Sequence, residues 1–159
     1  MVFERCREIL LNESELVQRV AGLQHDIREA VTSRNWTDFE GHFNALDRIK
    51  GELAALEGER AQLFAGISME SADSSFYTFT AALPAEQRAE LTAIYRSLKI
   101  ETLRVRIAGD ALMSYIAEVR AALAGFFEIA FPGRGGKTYT PHGMRISHDM
   151  RSMILNQTF

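Results

Sequence analysis

Between Pro84 and Pro132 an apolar residue recurs every seven positions: Leu91, Leu98, Val105, Leu112, Val119 and Phe126, flanked by Ile94, Ala108, Tyr115, Ala122 and Ile129. Seven residues make almost two α-helical turns, so this spacing lines one face of a helix, whereas a strand would need a period of two. The spacing predicts one continuous helix of roughly 45 residues, on the order of 65 Å long. Pro84 suits a first helical turn, where its missing N–H leaves nothing unpaired, and Pro132-Gly133 ends the pattern. A helix of that length with an apolar stripe needs neighbours to bury it.

Two earlier segments supply them. Phe3, Leu10, Val17 and Val31 share one seam position. Cys6, Val20 and Ile27 share the second, with Ile9, Leu16, Leu23 and Ala30 beside them and only Glu13 and Gln24 as polar interruptions. So broad a stripe predicts a helix packed against two others. Ser33-Arg34-Asn35 ends it, with Asn35 placed to cap the next helix. In the second segment Phe39, Leu46, Leu53 and Ile67 alternate with His42, Ile49, Leu56 and Leu63, and Trp36 and Phe43 widen the face. About three residues join the two segments, so they fold back as an antiparallel hairpin. Gly41, Gly51 and Gly58 fall off the seam, and each costs about 1 kcal/mol relative to alanine. The stretch 68–83 loses the period and reads as a loop, with one short helix around Phe76 to Ala82.

The expected fold is therefore all-α: a long antiparallel helical hairpin plus a long C-terminal helix in an elongated bundle. Residues 1–132 carry the helices, at about 2–33, 36–67 and 85–131, and residues 133–159 form an irregular, flexible basic tail. The formal charge of −3 argues against general affinity for nucleic acid. The tail differs, with Arg134, Lys137, Arg145 and Arg151 against Asp149, 4 − 1 = +3, which leaves −6 for everything before it. One cysteine can form no intramolecular disulfide, and no 18-residue apolar run or signal-like N-terminus occurs. A reduced, cytoplasmic setting without a membrane span is expected.

Few residues suggest chemistry. His142, His148 and Asp149 form the one His/acid cluster, but their spacing matches no local zinc scaffold and no second group completes four ligands, so no metal or cofactor is expected. His42 reads as a histidine satisfied within the bundle, and Cys6, between Glu4 and Glu8, as a small core hydrophobe. Gly133-Arg-Gly-Gly-Lys137 comes after a helix where a phosphate loop would come after a strand. With no nucleophile and base, acid pair or cofactor fingerprint, an enzyme is not expected. Met144, Ile146, Met150, Met153 and Ile154 fit a short amphipathic helix, docked either on its own bundle or on a partner.

The layout resembles the FlgN-type flagellar export chaperones. The residues that carry the likeness are Gly109-Asp-Ala-Leu-Met-Ser-Tyr-Ile-Ala-Glu-Val-Arg-Ala-Ala-Leu-Ala-Gly-Phe-Phe127, similar to the apolar pattern of the family's last helix. Gly136-Lys-Thr-Tyr139, Gly143 and the closing His148-Asp-Met-Arg-Ser-Met-Ile-Leu-Asn-Gln-Thr-Phe159 come after it. The resemblance implies a cytoplasmic chaperone that binds C-terminal segments of hook-filament junction proteins, the hook-associated proteins, and delivers them to the flagellar type III export gate. It places client contacts at Leu112, Ile116, Val119, Leu123, Phe126 and Phe127, and the export-gate contact at Tyr139. The alternative is a structural or adaptor bundle that self-associates, as a homodimer, through the same face.

Overall fold

The computed structural model of the chain describes residues 2–64 and 72–130. Its elements are α1 (Val2–Thr32), α2 (Trp36–Phe64), α3 (Ala72–Ala81) and α4 (Ala85–Ala130), with no strand among the described residues. The fold is the all-α bundle that the seven-residue spacing predicts. Ile67, the end of the expected second helix, and the tail lie outside the described residues.

The reversal between α1 and α2 uses two backbone bonds to close α1: the Asn35 N–H donates to the Ala30 carbonyl at 2.8 Å and the Arg34 N–H to the Val31 carbonyl at 3.2 Å. This closure puts Arg34 in the left-handed region, φ 57°, where glycine is the usual occupant. Asn35 then starts α2, its Oδ1 accepting from the Asp38 N–H at 3.1 Å. The cap expected from the sequence is in place.

Both α2 and α4 pack closely on α1, which is the central helix of the bundle. Cross-helix pairs set the directions. Glu13 meets Arg60 and Arg19 meets Glu52, so α2 runs antiparallel to α1. Arg7 meets Glu90, the Gln24 amide donates to the Val105 carbonyl at 2.9 Å, and Thr32 meets the Tyr115 hydroxyl at 3.0 Å, so α4 runs parallel to it. The larger core joins Cys6, Leu10, Val17 and Val20 of α1 to Ile49, Leu53 and Phe64 of α2 and to Leu91, Tyr95, Leu98 and Val105 of α4. At its end α3 inserts Phe76, fully buried and stacked on Tyr95 with ring centroids 3.9 Å apart.

Three expectations need correction. The helix foreseen around Phe76 to Ala82 begins earlier, at Ala72, and stops at Ala81. Burial of its aromatic face outweighs the competing local hydrogen bonds that Ser, Asp and Thr offer. On α4 the second buried row is Tyr95, Thr102 and Gly109, while Ala108, Ala122 and Ile129 are exposed. That row lies four residues after each of Leu91, Leu98 and Val105, the complementary step of a heptad seam, and is hard to see because it is filled by polar or small residues. On α2 Arg60 occupies the seam and is buried, Trp36 is exposed, and His42 is only half-buried.

Two of the polar residues inside the seam, Glu13 and Arg60, have found one another. Glu13, the interruption in α1, accepts from the Arg60 guanidinium at 3.0 Å, and both side chains are almost wholly buried. Burial pushes the Glu13 carboxyl up to about 7, against the pull of Arg60 and with a further push from Glu57. Cys6, at the same level, is a buried core thiol that desolvation raises to about 11. It is protonated, and so a poor nucleophile, at neutral pH.

The candidate functional site is an overhanging helix end

Helix α1 has 31 residues and α4 has 46. Because Thr32, the last residue of α1, lies opposite Tyr115, the part of α4 from Tyr115 to Ala130 has little hairpin beside it. At 1.5 Å rise per residue that part is about 22 Å long. Its seam continues regardless. Leu112, Ile116, Val119, Leu123 and Phe126 alternate steps of four and three, the same repeat that fills the core below.

Exposure rises along this row. Leu112 is 4% exposed, enclosed by Ile27, Ala30, Val31 and Phe39, and is a core residue rather than an open contact. Ile116 and Val119 are half-buried on the edge of the same cluster, beside Phe43 and Tyr115. Leu123 is also half-buried, whereas Phe126 is 63% exposed, Phe127 50% and Ile129 83%. The Phe126 and Phe127 rings meet edge to face, centroids 6.1 Å apart. Of the six residues foreseen on this helix, the structure places Leu112 in the core, Ile116 and Val119 on its margin, Leu123 half-buried beyond them, and Phe126 and Phe127 in the open. Ile129 adds an exposed side chain that the seven-residue pattern does not assign to the site. The seven-residue spacing sets it on the flank of the buried face, which hid its exposure, although three large apolar residues in the run Phe126-Phe127-Glu128-Ile129 signal an apolar surface.

The hairpin end sets an aromatic cluster beside the start of this part of α4. Phe39 stacks on Phe43 with centroids 5.9 Å apart, the exposed Trp36 meets Phe39 edge-on at 6.3 Å, and the Arg28 guanidinium lies 5.1 Å from the Tyr115 ring centre. Large apolar side chains half in water at the end of a rigid helix form the kind of surface that another amphipathic helix covers. Among the described residues no three His, Cys, Asp or Glu side chains converge to hold a metal. An open depression along Glu4, Arg5, Arg7, Glu8, Leu11 and Asn12 has both its arginines already paired, Arg5 with Glu8 and Glu59 and Arg7 with Glu90. No described helix is long and apolar enough to cross a membrane. Tyr139, His142, His148 and the short amphipathic segment lie outside the described residues. Comparison with protein-family models, curated proteins and solved structures finds no match for this chain.

Proposed function

We propose that this chain is a carrier that holds an amphipathic segment of another polypeptide on the overhanging end of α4. The observation that supports the reading most is the continuation of the core seam into solvent at Leu123, Phe126 and Phe127. A client helix laid there repeats what α1 and α2 do lower down: it supplies apolar side chains to a stripe that a single helix cannot bury. Leu112, Ile116 and Val119 anchor that surface to the core rather than meeting the client directly.

The resemblance to the FlgN-type chaperones suggests the client, the C-terminal segment of a hook-filament junction protein. It also suggests the destination, the flagellar type III export gate, with Tyr139 as the contact. In this reading the protein works in the cytoplasm, and by covering the client's amphipathic end it prevents premature assembly. Isothermal titration of the full chain with junction-protein C-terminal peptides tests it. Saturable one-to-one binding, lost in the Leu123→Asp/Phe126→Asp double variant, is the expected result. Equal affinity in the double variant removes the proposed surface. A wild-type dimer in sedimentation that the same variant makes monomeric, without peptide binding, supports the self-associating bundle instead.

A further inference from the structure

A second apolar stripe runs along α4, on the side opposite the core seam. Ile100, Leu103 and Ile107 are 53%, 56% and 61% exposed, although they stand on a stretch of helix whose other face is fully packed at Leu98, Thr102 and Val105. Their i, i+3, i+7 spacing makes them one row, half a turn away from the core. The charge beside them is unusual for this chain. From Arg96 to Arg106 stand Arg96, Lys99, Arg104 and Arg106 against Glu101 alone, 4 − 1 = +3, in a body that totals −6 up to the tail. Arg104 is held by Glu101 at 3.0 Å yet keeps 71% of its side chain exposed at the edge of the stripe, whereas Lys99 leans the other way, 5.5 Å from the Tyr95 ring centre.

We infer that this face docks an acidic amphipathic helix of a partner protein, apolar residues on Ile100, Leu103 and Ile107 and carboxylates toward Arg96, Arg104 and Arg106. Charge decides against the other occupants. If Ile100 and Ile107 take one seam position and Leu103 the other, Lys99 and Arg106 flank one side and Arg104 the other. A second copy pairing in parallel sets Lys99 against Arg104, and pairing antiparallel sets Lys99 against Arg106, like charges in both cases. The chain's own C-terminal tail carries +3 and is repelled in the same way. A flat anionic lipid surface would also meet the acidic remainder of the body, whereas a single helix covers only the basic strip. This site is separate from the overhang, and it does not depend on the carrier reading.

The test uses two helical peptides of about 18 residues with the same leucine seam, one flanked by glutamates and the other by lysines. Fluorescence anisotropy with the full chain is expected to show salt-sensitive binding of the glutamate peptide alone, weakened at least about tenfold by Leu103→Asp. Arg104→Glu/Arg106→Glu should transfer the preference to the lysine peptide, and circular dichroism melting shows whether each variant is folded. Binding of both peptides alike overturns the inference, as does failure of the charge swap in a folded variant. Loss of glutamate-peptide binding in Phe126→Asp but not in Leu103→Asp places the peptide on the overhang and overturns it too. A wild-type dimer, or binding to anionic phosphatidylserine vesicles, that Leu103→Asp abolishes assigns the face to another occupant.

Discussion

The two ends of the bundle use one seam in opposite ways. At the end near Glu13, Arg60 and Phe76, four helices meet, every seam position of α4 is covered, and the buried Glu13 accepts from Arg60. At the other end α4 continues, among the described residues, beyond the hairpin, and the helix leaves Leu123 half-buried and Phe126 and Phe127 exposed. An apolar stripe therefore stabilises only where a neighbour exists. Where the neighbour stops, the same residues become a surface, and the difference lies in helix length rather than in residue chemistry.

The largest effect that would break this contrast is expected at the covered end. Arg60→Met leaves the Glu13 carboxylate buried without its cation and should cost about 3–5 kcal/mol in urea denaturation. Glu13→Leu/Arg60→Met together should recover most of it, because two apolar residues fit a seam that is otherwise apolar. A single-variant cost below about 1 kcal/mol would mean that the pair does not close that end. Next in size is a pH effect. Glu13 titrates at about 7 in the fold against an ordinary value near 4.5, so the folded chain binds its proton more tightly than the unfolded one. The stabilisation from that proton is complete below about pH 4.5 and is lost as pH rises through about 7. Denaturation midpoints should therefore fall between about pH 5 and about pH 8 by more in the native sequence than in Glu13→Gln.

Smaller changes sharpen the contrast by separating stability from binding. A Cβ at Gly51 or Gly58 meets nothing within 4 Å, so Gly51→Ala and Gly58→Ala should each stabilise the hairpin by about 0.5–1 kcal/mol and leave client affinity unchanged. Smallest of all is the overhang: Phe126→Asp should shift the unfolding free energy by no more than about 0.5 kcal/mol, since its side chain is mostly solvated already. A thermal melt lowered by many degrees would show instead that the overhang packs on its own bundle.

Legibility in the sequence followed residue chemistry. The caps and joints at Asn35 and Pro84 could be read directly, because few residue types serve there. The core row at Tyr95, Thr102 and Gly109 could not, since a hydroxyl and a glycine look like surface in a hydropathy pattern. Buried Arg60 was hidden likewise, although its mate Glu13 stood out as an interruption. The stripe at Ile100, Leu103 and Ile107 was obscured by the stronger period beside it.

By itself the sequence determined that three long helices would form, and that the last would be longer than either helix of the hairpin. Only the tertiary structure decided which end of α4 is left over. A seam that repeats every seven residues matches itself after a slide of one heptad, so apolar spacing leaves the alignment of two helices nearly degenerate. The degeneracy is lifted by side chains that must find particular partners: Gln24 at the Val105 carbonyl, Thr32 at Tyr115, and Phe76 closing the opposite end over Tyr95.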